Sequence, residues 1–169
     1  MGCSDDDDDN PGTTEEIKLK NSSTLGQYLV DKDGRTLYYF SNDFNGQNNC
    51  VVNCEALWPY FNVDNLTADQ LGTGLELTDF ATITAANGKK QLTYKTWPLY
   101  YYAPAVNGVN TLEAPGQTTG EGFDGIWFVA KPNYSIMLVN AQLVGHDGKT
   151  INRITPRHRQ NPLLYRWHG

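Results

Sequence analysis

The chain lacks two features that would point to common classes of partner. None of its apolar runs approaches the roughly 20 residues that a helix needs to cross a bilayer. It also has no excess of basic residues, since 13 Lys and Arg stand against 19 Asp and Glu. Five of those acids are consecutive, at residues 5–9, so the rest of the chain is nearly neutral. The sequence therefore predicts neither a membrane-spanning helix nor a nucleic-acid partner, which would need a basic surface.

Residue types that often carry catalysis are also scarce. The sequence has three histidines and three cysteines, and two of the histidines, His158 and His168, stand close to the C-terminal end. The nucleophile motif Gly-x-Ser-x-Gly is missing, and so is the Cys-x-x-Cys-His of haem attachment. We therefore expect no catalytic residues, no cofactor and no enzymatic activity.

The residues that are present favour strands joined by turns. Aromatic residues make up 12% of the chain, and Gly, Asn and Thr are abundant. The runs rich in β-forming residues are 27–30, 36–40, 80–84, 91–94, 97–102 and 126–130. The first two flank a turn that contains Gly34, and the next two flank Asn87-Gly88, a strong hairpin signal. The predicted fold is all-β, an antiparallel small barrel or sandwich built of hairpins, with at most two short helical turns, near residues 54–58 and 67–71.

The N-terminus is typical of a lipid anchor. A small residue directly before Cys3 is how the signal peptide of a bacterial lipoprotein ends, so Cys3 would carry the acyl chains. Several chains anchor firmly, because each buried CH₂ contributes about 0.8 kcal/mol. Ser4 and the acidic run at residues 5–9 follow, and this order resembles the surface-export signal of lipoproteins in the Bacteroidetes group. We expect a membrane partner through the lipid, attachment to the outer membrane and exposure at the cell surface.

Several motifs resemble one family of bacterial lipoproteins. They are GxYLVDxDGRTLYxF from Gly26, CxxxCxxxWP from Cys50, GxxQLTY from Gly88, WPLYY from Trp97 and GxWxVxxP from Gly125. Together they resemble the secreted-repeat lipoproteins of unknown function, over residues 27–132. Tyr60 stands where a second proline is usual, and Phe128 where a histidine is often seen. The second departure argues against a histidine-centred site.

This resemblance also suggests how the chain is divided. Residues 1–14 are predicted to be the anchor and a disordered acidic linker, residues 15–135 the repeat domain, and residues 136–169 the truncated start of a second repeat. Beyond residue 156 the sequence loses the repeat pattern. One possible set of codons for residues 157–169, read one base later, restores the Gly and Asp-Gly spacing of the first unit. We therefore hypothesise that this tail is frame-shifted.

Cys50 and Cys54 are the best candidates for covalent chemistry. Thiols outside the cytoplasm tend to pair, and lipidation of Cys3 would leave these two as an even set. A structural disulfide is the favoured interpretation. A redox-active pair and a metal thiolate remain alternatives, although zinc would need two further ligands.

Two further groups of residues are candidates for binding. The aromatic residues Tyr39, Trp58, Trp97, Tyr101 and Trp127 either fill the core or form a stripe that stacks on a glycan or a surface protein. Side chains alternate along a strand, so we expect part of the aromatic set to line the core and part to face outward or into a groove. Weak calcium candidates are Asp31, Asp33, Asp43 and Asn45. They do not match the EF-hand spacing, and turn-forming hydrogen bonds explain them equally well.

The sequence thus predicts a surface-exposed lipoprotein whose β module binds a partner or supports the envelope without catalysis. One alternative is an extracytoplasmic redox or metal-handling protein that uses Cys50 and Cys54. Another is a glycan-binding module that uses exposed aromatic rings.

Overall fold

The computed structural model of the chain describes residues 14–51, 53–133, 136–139 and 142–145. Cys3 with the acidic run, and the suspected frame-shifted tail, lie outside the described residues. Within them, the predicted all-β class is confirmed, because most of the regular structure is strand in antiparallel sheets. No helix in this part of the chain has the length and apolar character that crossing a membrane requires.

The strands follow one another along the chain with few helical turns between them. The strands are β1 (Ile17–Ser22), β2 (Gly26–Asp31), β3 (Tyr38–Phe40), β4 (Phe80–Thr84), β5 (Lys90–Tyr94), β6 (Trp97–Tyr100), β7 (Ala105–Val106), β8 (Val109–Asn110), β9 (Trp127–Val129), β10 (Ile136–Val139) and β11 (Gln142–Gly145). The α-helix is α1 (Cys54–Leu57), and 3₁₀ turns lie at Ser41–Asp43, Ala68–Gln70, Leu77–Asp79 and Phe123–Gly125. Both predicted helical turns are therefore present, the second with Thr67 and Gln70 in a capping box.

The main sheet has five antiparallel strands in the order β4-β5-β6-β3-β9. The described strands of this sheet do not close into a barrel, so β4 and β9 form its two edges. Two-stranded sheets are formed by β1 with β2, by β7 with β8, and by β10 with β11.

The two predicted hairpins differ in outcome. The pair β4 and β5 forms as expected around Asn87-Gly88, with Phe80 opposite Tyr94 and Thr84 opposite Lys90. The chain also folds back after β2, where Leu37 donates its N–H to the carbonyl of Leu29. However, the ladder partner of β2 is β1, which the sequence did not predict, and β3 continues into the main sheet.

Both faces of the main sheet are covered, and each face has its own core. One core contains Tyr39, Trp97 and Leu99, and the other contains Tyr38 and Tyr100. Alternation along β3 and β6 divides the side chains between these two cores. The expectation that part of the aromatic set faces outward or into a groove is therefore wrong for β3 and β6, because packing on both sides buries both faces.

Candidate binding cleft

The disulfide between Cys50 and Cys54 is present, as predicted. Its Cα atoms lie 5.3 Å apart, and Cys54 is the first residue of α1. Cys50 is buried in the second core, and its carbonyl accepts a hydrogen bond from the hydroxyl of Tyr60. The disulfide therefore attaches α1 and the preceding loop to the packed side of the molecule.

Four of the five aromatic candidates for ligand binding are buried. Tyr39 and Trp97 are 1% and 2% exposed in one core, and Trp58 and Trp127 are 1% and 3% exposed in the other. Tyr101 is half-buried, and its hydroxyl donates to Asp31. These side chains stabilise the cores and do not form a stripe on the surface.

The second core is packed too tightly to admit a ligand between its rings. Trp58 and Trp127 stack in parallel with their centroids 3.8 Å apart. Gly120 lies against this group, where an added Cβ would come within 2.9 Å of Trp58 and 3.0 Å of Tyr38 and Tyr102. Only a residue without a side chain fits at that position, since real Cβ atoms do not approach so closely.

Three tyrosine hydroxyls donate to carboxylates within this scaffold. Tyr100 donates to Asp43 at 2.5 Å, and Tyr101 donates to Asp31 at 2.8 Å. The third bond joins Tyr38 to Glu113. Burial is the main reason that the pKa of each of these tyrosines lies above its ordinary value, so all three remain protonated donors.

Asp43 is the most deeply buried of these acids. Its side chain is inaccessible to solvent, and burial raises its pKa to about 7 although hydrogen bonds from Tyr100 and Asn49 lower it. The backbone N–H of Asn49 donates to the Asp43 carboxylate at 2.7 Å, and the N–H of Gly46 donates to its carbonyl at 2.8 Å. Asp43 thus holds the loop that follows β3.

The four calcium candidates act as turn formers in the structure. Asp31 accepts the N–H groups of Asp33 and Arg35, at 3.0 and 2.7 Å, and Asp33 pairs with the Arg35 guanidinium. Asn45 accepts from Asn49 and Gln47. Across the described ranges, no group of three His, Cys, Asp or Glu side chains is arranged to hold a metal ion. Asp31, Asp33 and Asp43 therefore do not form a common site.

An open cleft of about 660 Å³ lies where the outer part of the main sheet meets the loop after β3. Its lining residues are Asn45, Gly46, Thr78, Asp79, Ala81, Ile83, Thr93, Lys95 and Thr96. Lys95 and Asp79 are the charged members of the lining, with nitrogen and oxygen 3.7 Å apart. A second hollow of about 580 Å³ shares Asn45, Gly46 and Ile83 with it.

A strained turn forms one wall of the cleft. Lys95 and Thr96 join β5 to β6, and their φ angles are 50° and 74°. A β-branched residue is rare at positive φ, and such strain persists only where the surroundings enforce it. The Lys95 ammonium donates to the carbonyl of Pro132 at 3.1 Å, and Gly46 lies beside the carbonyl of Thr96, 3.4 Å from where a Cβ would be. These contacts hold the turn in place beside the cleft.

The sequence does not predict this cleft. One signal was available, because Lys95-Thr96 separates two β-rich runs by two residues, the spacing of a tight hairpin. The side chains that line the cleft are otherwise ordinary threonines, alanine and isoleucine. Nothing in their local pattern indicates that they converge.

Part of the chain is similar to a known family of proteins. Residues 21–62 match a family model described as a secreted repeat of unknown function. This segment runs from the end of β1 through β3 and α1, and it includes Asp31, Asp43 and both cysteines of the disulfide. No curated protein and no solved structure matches the chain. The chain is thus similar over this segment to a secreted repeat, which is consistent with a location outside the cytoplasm.

Proposed function

We propose that this protein is a lipid-anchored, non-catalytic binding module at the outer cell surface, and that its cleft takes a neutral, hydroxyl-rich ligand such as a glycan. The lining of the cleft is the observation that carries this proposal. It offers the hydroxyls of the exposed Thr78 and Thr96 and the amide nitrogen of Asn45, above an apolar floor of Ala81 and Ile83. Polar groups that converge over an apolar surface are typical of small-molecule sites.

Charge on the cleft supports a neutral ligand. The ammonium of Lys95 lies 3.7 Å from the Asp79 carboxylate and also donates to Pro132. Each charge is therefore already compensated, and a charged ligand would have to displace an existing partner. A neutral ligand needs only to replace water at the hydroxyls of Thr78 and Thr96 and at the amide nitrogen of Asn45.

The scaffold supports a binding role and not a catalytic one. Asp31, Asp43 and Glu113 each accept several hydrogen bonds from their own loops and from a tyrosine hydroxyl. These bonds occupy the carboxylate oxygens that acid–base chemistry would use. Their arrangement favours a rigid frame that holds the cleft in one shape.

The disulfide is more consistent with a structural than with a redox role. Cys50 is 1% exposed, so an attacking thiolate cannot easily reach its sulfur. Mass spectrometry after alkylation, with and without glutathione buffers at cytosolic potential, separates the two roles. We expect Cys50 and Cys54 to stay oxidised, and a pair that cycles reversibly with the buffer would favour the redox alternative.

Binding at the cleft is tested on an array of neutral glycans. The Ala81→Trp variant fills the cleft from an exposed position on β4, and Ala56→Trp places the same ring on the exposed side of α1. We expect the array signal to fall at least tenfold in Ala81→Trp and to persist in Ala56→Trp. A signal that survives Ala81→Trp, or an array with no signal for the unaltered chain, would contradict the proposed ligand class.

The anchor is tested separately in cells that express the complete gene. A clickable palmitate analogue should label the protein, and Cys3→Ser should abolish that label. Added protease should remove the protein from intact cells, and replacing the acids at residues 5–9 by serine should protect it. Label retained in Cys3→Ser would refute the lipid anchor, and protection of the unaltered protein would refute surface exposure.

A further inference from the structure

The outer edge of β4 presents backbone groups that the described part of the chain leaves unpaired. Leu92 on β5 donates its N–H away from β4, to the carbonyl of Phe61 at 2.8 Å. Thr82 lies directly opposite Leu92, so its own N–H and carbonyl also point away from the β4–β5 pair. The hydrogen bonds at both ends of β4 show the same alternation. The carbonyl of Asp79 accepts the N–H of Lys95, and the N–H of Ala85 donates to the carbonyl of Lys89, so these odd-numbered residues bond toward the β5 side.

Alternation therefore directs the even-numbered residues of β4 outward. The N–H of Phe80 is used by the carbonyl of Leu77, at the end of the preceding turn. No described residue pairs with the N–H and carbonyl of Thr82 and Thr84, or with the carbonyl of Phe80. The edge thus offers two donors and three acceptors along a strand of five residues.

This edge also lacks the devices that normally keep strands apart. Edge strands in soluble proteins are usually blunted by charge, proline or a bulge. The sequence Phe-Ala-Thr-Ile-Thr of β4 has no charge and no proline, and its ladder to β5 is continuous from Phe80 to Thr84. Ala81, Thr82 and Thr84 are exposed. The strand is therefore open to another strand from outside.

The strand is complementary to a second copy of itself. In an antiparallel pair centred on Thr82, the two Thr82 residues exchange both of their hydrogen bonds across a two-fold axis. Each Thr84 then donates its N–H to the carbonyl of Phe80 in the other copy. On either side of the axis a small residue then meets a large one, because Ala81 lies opposite Ile83 and Thr84 lies opposite Phe80.

We propose that two copies of this protein pair through β4, antiparallel and in register at Thr82, to form one ten-stranded sheet across the dimer. This inference rests on the edge alone and is independent of any ligand in the cleft. A short strand pair without a large apolar interface binds weakly, with a Kd on the order of 100 µM in solution. The proposed lipid anchor would strengthen the pairing, because tethering of both copies to one membrane raises their local concentration.

Sedimentation equilibrium tests the pairing on the whole chain, without lipid and with Cys3→Ser to remove a free thiol. We expect the unaltered edge to dimerise reversibly between about 10 µM and 1 mM. Thr82→Lys sets two like charges against each other on the axis and should weaken the dimer at least tenfold. Thr73→Lys adds the same charge at an exposed loop position and should leave the dimer unchanged.

Cross-linking tests the register. Paired residues of a hydrogen-bonded antiparallel site have Cα atoms about 5.5 Å apart, within disulfide range. Thr82→Cys should therefore form a covalent dimer on oxidation. Thr84→Cys on the same strand should not, because four residues of stagger separate its two copies by about 13 Å.

Three outcomes would each overturn the proposal. They are a chain that stays monomeric to 1 mM, equal weakening of the dimer by the two lysine variants, and equal cross-linking of the two cysteine variants.

Discussion

The two edges of the main sheet differ in whether their outward backbone groups are hydrogen-bonded. At β9, the N–H of Val129 donates to the Glu121 carboxylate at 2.6 Å, and the carbonyl of Trp127 accepts the N–H of Gly122 at 2.9 Å. A loop of the same chain thus occupies the outward backbone groups of β9. At β4 no described loop does this, so the groups of Thr82 and Thr84 are open.

Side-chain packing follows the same division. Trp127 on β9 stacks on Trp58 and lies 4.3 Å from the ring of Phe40, centroid to centroid. On β4, Ala81, Thr82 and Thr84 are exposed, and even Phe80 is only half-buried. The β9 edge therefore stabilises the fold, whereas the β4 edge is exposed to solvent. We accordingly expect a partner to bind at β4, and substitutions to destabilise the fold mainly at β9.

Matched truncations on the two edges should give the largest contrast. Trp127→Ala removes both ring stacks from the second core and should lower the free energy of unfolding by about 3–5 kcal/mol. Ile83→Ala on β4 removes a half-buried side chain and should cost about 1 kcal/mol or less. Urea unfolding followed by tyrosine fluorescence measures both. Similar losses for the two variants would mean that β4 is packed as tightly as β9.

Asp43, which bonds to Tyr100 of the second core, should also make the stability of the protein depend on pH. Asp43 has a pKa of about 7 in the folded protein and an ordinary value of 3.8. Between these values the folded protein keeps a proton that the unfolded chain releases, so the free energy of unfolding falls as the pH rises. The contribution of this one group is about 1.4 kcal/mol per pH unit within that window.

Asp43→Asn removes this titration while it keeps the shape of the protonated side chain. Urea unfolding of both proteins at pH 5, 6 and 7 should show the variant gaining stability relative to the unaltered protein as the pH rises. The gain should be largest at pH 7. A constant difference between the two proteins across this range would show that Asp43 is ionised throughout in the folded protein.

The parts of the fold that the sequence predicts are those fixed by neighbours along the chain. The β4–β5 hairpin forms where Asn87-Gly88 indicates it, because Gly88 adopts the positive φ that closes its short loop. The sequence does not predict β1, because Lys18 and Lys20 are polar and its partner β2 lies beyond a turn without a strong signal. Local pattern alone does not choose between two possible partners for one strand.

The tyrosine–carboxylate bonds of the scaffold join residues that are distant in the sequence. Tyr38 bonds to Glu113, 75 positions away, and Tyr100 bonds to Asp43, 57 positions away. A single sequence carries no trace of such pairing, so it offers Asp43 only as a weak calcium candidate and gives no sign of its bond to Tyr100. The five aromatic candidates for ligand binding stand out in the sequence, but four of them are buried because both faces of the sheet are covered.

Removing the Glu121 hydrogen bond at the β9 edge should lower the free energy of unfolding by less than Trp127→Ala does and by more than Ile83→Ala does. Glu121→Ala takes the carboxylate away from the N–H of Val129 and should lower the free energy of unfolding by about 1–3 kcal/mol. Glu121→Gln keeps an acceptor oxygen at that position and should lose clearly less. Thr84→Ala on the open edge breaks no described hydrogen bond and should stay within about 0.5 kcal/mol. An equal cost for Glu121→Ala and Thr84→Ala would remove the distinction between the edges.

The smallest expected effect needs no substitution and measures the two edges directly. In dilute protein, amide hydrogen exchange at Thr82 and Thr84 should be fast, whereas Val129 should be protected by its bond to Glu121. Raising the concentration to about 1 mM should slow exchange at both threonines, because pairing through β4 occupies their N–H groups. Protection of Val129 should not change, since that bond lies within one chain. If Thr82 is already as slow as Val129 in dilute protein, another part of the same chain covers β4, and the edge is closed before a second copy can reach it.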